Sequence, residues 1–526
     1  LLFACTEPTD EAPPADPSAC EVLGLPTRDF LDDVETGTQR RQIAADFTMP
    51  TTEGRWKLSE NWSGCDSYVV ITDAETLGDG DTFWTENNIG QLVRRSPPNA
   101  HYFFVSLAIG DNLTDRTDLI ADHVKKALRR LDDGAEPGQR DWWTDRLHVV
   151  TRNGRDLQGW LATAIPADTP EGNPTGSGFA IDRFQRMRGI GSYADVENFN
   201  GTLDWPYEPN YAYAANEVQY FEFEAARQAR LDAEDVTVVS AWSGEILEEF
   251  AETDVPFPTR EELAAFDTLE IDLSAFCPNP GAYEAGNCGA WDYLAHLRLL
   301  DEDGETWHEF ARFITTYHRA GRYLVDATPL LALLGDGGMR TIRYNFAPSW
   351  NTQPTETWLD FRFSNQGKGY RPTDITPLWS DRGFNSAYNT DLPTFDVPVS
   401  DGAAHVELWA LITGHGGATN NCAEFCNHQH EFTVSGLTDL YEFPDVGNDV
   451  ACRDRVSEGV IPNQYGTWWF GRGGWCPGQE VDPYVLDVTA EAAGAASLSY
   501  RGLYEGGTPP DDAGNISMTS YLVVYE

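Results

Sequence analysis

Hydrophobic and polar positions follow two different rhythms along this chain, and the change falls near residue 240. Ahead of it, short apolar runs at Ser67–Thr72, 101–109 and 147–151 predict strands. Residues 116–131 place Leu119, Ile120, His123, Val124 and Leu128 near helical spacing, and 179–191 reads as a hairpin. Past residue 240 helical patterns give way to short alternating segments: 268–274, 292–299, 309–317, 340–345 and 358–363, then 406–413, 430–434, 484–488, 497–504 and 519–524. Turn signals such as Asp301-Glu302-Asp303-Gly304 separate them.

These rhythms predict a multidomain chain. An α/β unit is expected over 21–240, followed by two all-β jelly-roll sandwiches over 241–374 and 375–526. The order strand, helix, strand, hairpin, with "FTMPTTEGRWKLSENWSGCDSYVVIT" and "FAIDRFQRMRGIGS", resembles the thioredoxin-like redoxin fold. That family carries its redox cysteines just after the first core strand. Here that place reads "DAETLGDGDTFWTENN", without a cysteine. Thiol chemistry needs a thiolate, so the expected unit is a redox-inactive accessory.

Charge narrows the partners. With 84 acidic and 36 basic residues the formal charge is −48, and the only lysines are Lys57, Lys125, Lys126 and Lys368. Such a surface repels nucleic acid and anionic lipid. The segment Leu1-Leu2-Phe3-Ala4-Cys5 reads as the end of a bacterial lipoprotein signal, with Cys5 acylated. The Pro-, Asp- and Glu-rich stretch behind it reads as a disordered tether, so 1–20 is expected to be signal remnant and linker. A bacterial envelope or extracellular protein follows, monomeric and touching a membrane only through that anchor.

Apart from Cys5, eight of the nine cysteines remain, an even number that suits disulfides in an exported chain. Proximity pairs Cys277 with Cys288, Cys422 with Cys426 and Cys452 with Cys476, leaving Cys20 for Cys65. The Cys422-Ala423-Glu424-Phe425-Cys426 run brackets one carboxylate in a small loop, beside Gly414-His415-Gly416-Gly417. Closing so small a loop adds local rigidity more than global stability. Asp292 ends the "CGAWD" run at the start of a predicted strand, and Arg472 lies between glycines beside Trp475. Two carboxylates from two domains, facing one cleft with a cation, suit water activation and leaving-group protonation. His428 and His430 alternate on a strand and share a face. They are read as a hydrogen-bonding or core pair, so no metal and no cofactor is expected.

Five segments in order, "CPNPGAYEAGNCGAWDYLAHLRL", "RFITTY", "IRYNFAPSW", "NCAEFCNHQHEFTV" and "WWFGRGGWCPG", resemble the peptide:N-glycosidase F family of bacterial amidases. The resemblance covers 268–526 and implies two side-by-side jelly rolls with the active site between them. It implies that Asp292 is the principal acid/base and that Glu424 shares the catalytic site. Arg472, with Trp350, Trp475 and His415, then binds and orients the sugar core, the two tryptophans forming aromatic walls. The implied reaction releases an N-glycan from a glycoprotein or glycopeptide and converts Asn to Asp. Pro348 stands where the family carries a third acidic residue, and Tyr293 follows Asp292 where the family has a basic one. The alternative is a non-catalytic glycan- or protein-binding surface lipoprotein on the same double sandwich.

Overall fold

The structure, a computed structural model, describes residues 18–72, 86–107, 112–132, 139–165, 178–198, 210–278, 288–416, 423–511 and 514–526. Cys5 with its tether, and Cys422, lie outside the described residues.

The N-terminal part is a five-stranded mixed sheet in the order Leu147–Val149, Ala100–Val105, Ser67–Thr72, Gly178–Ile181, Met187–Arg188. The first three strands run parallel, and the last two join antiparallel. Both central strands are buried along their whole length, which is why they read as apolar runs. Val69, Ile71, Tyr102 and Phe104 face Ile120, Val124 and Phe221 of the long helices on one side. Tyr68, Val70, Phe103 and Val105 meet Met49, Trp56 and Leu161 on the other. The helix Asn112–Asp132 buries Ile120, Val124 and Leu128 of the predicted stripe together with Ala127, while Leu119 and His123 are half-buried. A second long helix, Ala214–Ala233, was absent from the pattern reading. Its buried residues include Asn216, Glu217 and Arg227, so no clean apolar stripe marks it.

Beyond this unit every sheet among the described residues is four-stranded and antiparallel. One sandwich stacks the sheet Gly321–Asp326, Thr268–Phe276, Thr355–Ser364, Val236–Leu247 on the sheet Trp307–Ile314, Leu294–Leu300, Gly337–Asn345, Phe250–Thr259. The next stacks Pro372–Phe384, Gly514–Tyr525, His405–His415, Tyr484–Asp487 on Phe395–Pro398, Ala495–Tyr504, His428–Val434, Leu437–Glu442. The strand Val236–Leu247 crosses the boundary expected at 240, and Pro372–Phe384 crosses the one at 374.

The two sandwiches share a face. In His405–His415, Leu408, Ala410 and Ile412 enter their own core. Trp409 and Leu411 point outward against Ile314 of the first sandwich, with Tyr521 and Val523 beside them. Buried on both sides, this strand loses its alternation, and the edge strand Trp307–Ile314 is covered rather than exposed. Arg312 crosses the junction with no exposed side chain, donating to both Glu309 oxygens at 2.8 and 2.9 Å, to Thr413 Oγ1 at 3.0 Å and to the Ser517 carbonyl at 2.8 Å. This rigid seam fixes where the loops at its end can meet.

Disulfides join Cys20 to Cys65, Cys277 to Cys288 and Cys452 to Cys476. Cys426 is disulfide-bonded as well.

Candidate functional site

At one end of the seam three loops converge. Asp292 lies two residues before the Leu294–Leu300 strand, just past the Cys277–Cys288 bridge. Thr315 pins this loop: the Tyr293 amide donates to its Oγ1 at 2.8 Å, and that hydroxyl donates to the Trp291 carbonyl at 2.5 Å. Glu424 occupies the turn ahead of the His428–Val434 strand, and Arg472 the loop that the Cys452–Cys476 bridge anchors.

A run of backbone hydrogen bonds ties the second and third loops together. The Gly473 amide donates to the Glu424 carbonyl at 2.8 Å, and the Gly414 amide to the Gly473 carbonyl at 2.7 Å. The Glu424 amide closes the run on Gly416 at 3.4 Å. Glycine is required at 414 and 473 by close approach: a Cβ at either position runs into the His428 ring and the Ala423 carbonyl. His428 itself is fully buried, hydrogen-bonded through Nδ1 to His430 Nε2 at 2.7 Å, and His430 Nδ1 meets the Tyr500 hydroxyl at 2.7 Å. Burial drives the His428 pKa down to about 3 and that of His430 well below the usual value, so both rings are neutral. The pair is a buttress under the loops.

Arg472 collects the site. Its side chain is 1% exposed, yet Nη2 lies 3.3 Å from Asp292 Oδ2 and Nε 3.3 Å from Glu424 Oε1. Nη1 donates to the Phe470 carbonyl at 3.2 Å, and Nη2 also reaches the Thr467 carbonyl at 2.9 Å and the Tyr317 hydroxyl at 3.3 Å. The Tyr317 hydroxyl also faces Asp292, where it favours the charged carboxylate. One fixed cation thus orients two carboxylates from different sandwiches, which are 15% and 22% exposed and keep a reachable face. Burial pushes the Asp292 carboxyl above the usual aspartate range, against the pull of Arg472 and Tyr317. Burial raises Glu424 too, with the Asp292 charge adding to it and Arg472 opposing. Paired carboxyls with elevated pKa values beside a fixed charge are the equipment of proton-transfer chemistry.

The other expected residues divide. Trp350 is 79% exposed, edge-on to Tyr293 at 6.3 Å, and stands on the rim next to the Asp292 loop. Trp475 departs from the expected aromatic wall. It is 4% exposed, its indole donates to the Gly414 carbonyl at 2.9 Å, and the Arg472 guanidinium covers its ring at 4.8 Å. The Gly414 carbonyl draws the ring inward, so it backs the cation instead of facing the cleft. His415 stacks on Trp475 at 5.2 Å and bonds Thr413 Oγ1 at 2.9 Å; burial brings its pKa to about 3. Glu356, near Pro348 in sequence, pairs with Arg40 at 3.2 Å and does not replace the missing acid. Tyr317, Trp291 and Phe425 were not singled out beforehand. The first ends the "RFITTY" segment and faces Asp292 and Arg472; the others are 51% and 37% exposed, Trp291 next to Asp292 and Phe425 next to Glu424. Among the described residues no group of His, Cys, Asp and Glu is arranged to hold a metal ion.

Residues 383–523 match the family model described as "Peptide-N-glycosidase F, C terminal". The peptide-N(4)-(N-acetyl-beta-D-glucosaminyl)asparagine amidase F of Elizabethkingia miricola is 23% identical over 276 residues, spanning 49% of this chain and 73% of that protein. The solved structure of PNGase F, described as a glycosylasparaginase from Flavobacterium meningosepticum, aligns with a TM-score of 0.45 at 17% identity, over 55% of this chain and 96% of that one. The structure of PNGF-II aligns with a TM-score of 0.41 at 13% identity, over 68% and 76%.

Proposed function

The chain is a member of the peptide-N-glycosidase F family, and from that premise we propose that it is an amidase hydrolysing the bond between an N-glycan and asparagine. The observation that carries the reading is the convergence of Asp292 and Glu424, one from each sandwich, on the buried Arg472 at 3.3 Å each. Hydrolysis of an amide needs a positioned water, a group to take its proton and stabilisation of charge on the carbonyl oxygen. Asp292 serves as the acid/base: the Tyr317 hydroxyl and Arg472 fix its orientation, and its exposed edge accepts the proton of an attacking water. Glu424, locked by its turn and by Arg472, orients the water or a sugar hydroxyl. Trp350 and Trp291 offer apolar faces at the rim on which a sugar ring or peptide can pack.

The substrates in this reading are N-glycosylated proteins or glycopeptides. We further read the protein as one of the bacterial cell envelope or exterior, where bridges such as Cys20–Cys65 and Cys452–Cys476 persist. The N-terminal sheet fits a thioredoxin-like unit without redox chemistry, since Cys65 is committed to Cys20.

Pro348 favours a second reading, a glycan-binding protein that keeps the cleft without turnover. Incubation of the full chain with an N-glycopeptide, followed by mass spectrometry, separates the two. Glycan release with conversion of Asn to Asp supports the amidase. Binding of the glycopeptide with its mass unchanged sinks it.

A further inference from the structure

The N-terminal unit grips the catalytic part through one buried carboxylate. Glu217, on the helix Ala214–Ala233, has no exposed surface and forms a two-pronged pair with Arg319 of the first sandwich, at 2.9 and 3.2 Å. The same carboxylate accepts from Asn463 Nδ2 at 2.9 Å and from the Gly191 amide at 3.1 Å.

Asn463 belongs to the segment leading to Arg472, and it is plugged into the N-terminal unit. Its Nδ2 also donates to the Tyr213 carbonyl at 2.9 Å, its Oδ1 accepts from Asn216 at 3.2 Å, and its carbonyl accepts from the Ser192 amide at 2.7 Å. Its backbone sits at φ 51°, a left-handed conformation that asparagine tolerates better than most residues. Arg319 closes the knot by donating to the Pro462 carbonyl at 3.2 Å.

Both gripped residues lead directly to the site. Two positions before Arg319 lies Tyr317, whose hydroxyl meets Asp292 and Arg472. Its amide donates to Gln464 Oε1 at 2.9 Å, its carbonyl accepts from the Tyr465 amide at 3.2 Å, and its ring lies against Gly466. Four positions after Asn463 lies Thr467, whose carbonyl holds Arg472. The path from Glu217 to the guanidinium is therefore continuous on both sides.

We propose that Glu217 is a positioning residue of the amidase site: by fixing Arg319 and Asn463 it sets Tyr317 and Arg472 against Asp292 and Glu424. The N-terminal unit is then part of the catalytic scaffold. This rests on the amidase reading, and the test keeps the two apart.

The full chain is compared with Glu217→Gln, which keeps the shape but removes the charge that holds Arg319, and with Asn216→Ala, a milder change that removes one donor to Asn463. Hydrogen exchange is followed by mass spectrometry over 315–319 and 462–472, with Ala495–Tyr504 as a distant reference. Faster exchange confined to the first two segments is expected in both variants. On a glycopeptide, kcat should fall roughly 10²-fold for Glu217→Gln, as small misplacements of reacting groups do. The acid limb of the pH profile should shift with it, and Asp232→Asn at the exposed end of the same helix should change neither. Unaltered exchange at 462–472, or equal acceleration in Ala495–Tyr504, overturns the proposal. Should Glu217→Gln fail to fold, Asn216→Ala decides it on the same readouts. A wild-type chain without turnover overturns the amidase reading alone, because the exchange arm still decides the positioning role.

Discussion

Asp292 and Arg472 come from different β-sandwiches and meet at 3.3 Å, the arginine buried and the aspartate open on one edge. Neither sandwich contains the site by itself. The seam that aligns them, the backbone run through Gly414, Gly473 and Glu424, and the disulfides at the loop bases hold this contact in place.

Replacing Asp292 by Asn should lower turnover roughly 10²–10⁴-fold, the usual range for a lost acid/base group. It should not cost stability at neutral pH. Because burial raises the Asp292 pKa, the native state binds this proton more tightly than the unfolded chain. Stability from this group is full below the ordinary aspartate value of about 3.9 and falls as pH rises through the native pKa. Asn escapes that loss, so the variant should melt at or above wild type near neutral pH and lose its advantage in acid. Thermal unfolding of both proteins across that range checks the sign.

The acid limb of the activity profile should lie above the ordinary carboxylate range, since burial raises both Asp292 and Glu424. Its apparent pKa values belong to the pair. Arg472 lowers both, so Arg472→Gln should push the limb to higher pH in whatever activity remains. A pH–rate series on the two proteins reads this directly, and a limb that moves toward acid refutes the charge arrangement.

Gly473→Ala should damage the site without touching a catalytic side chain. A methyl there meets His428 and the Ala423 carbonyl, which cannot yield cheaply because His428 is buried and hydrogen-bonded. Overpacking of this kind costs about 1–3 kcal/mol. The loss should appear in denaturant titration together with lower turnover, whereas Gly383→Ala, where a Cβ meets no atom nearer than 3.6 Å, should leave turnover intact.

Much of this site was legible in the chain because its motifs are local. Two cysteines around Glu424, glycines around Arg472 and the "CGAWD" run marked three of its residues. Contacts between distant segments were not legible. Tyr317 is 155 positions from Arg472, and nothing in "RFITTY" reports that its hydroxyl faces that guanidinium. Trp475 illustrates a second limit: a tryptophan in a glycine-rich loop can face the cleft or back it, and the Gly414 carbonyl decides. In the fold, alternation revealed strands with one wet face. It finds His405–His415 as a strand over 406–413 without reporting that both sandwiches cover it, and it misses Ala214–Ala233, whose buried face carries the polar groups that grip Arg319 and Asn463.

Removing Arg312 should destabilise the seam. Burial by itself would raise the Glu309 carboxyl, but Arg312 and His296 hold it well below the ordinary range. Arg312→Ala leaves that carboxylate buried without its main partner, at about 3–5 kcal/mol. The wild-type contribution is present above the ordinary glutamate range and is lost as pH falls through the lower native pKa. Denaturant titration at neutral pH should therefore show a large gap between the two proteins, narrowing in acid.

The most direct measurement of the central claim is hydrolysis of an N-glycopeptide in heavy-oxygen water by wild type and by Asp292→Asn, with both products weighed. The account predicts heavy oxygen in the new aspartate carboxylate and a glycan released with its nitrogen, in wild type only. An aspartate carboxylate without heavy oxygen, equal release by the Asp292→Asn protein, or an unchanged glycopeptide with folded wild type would contradict it.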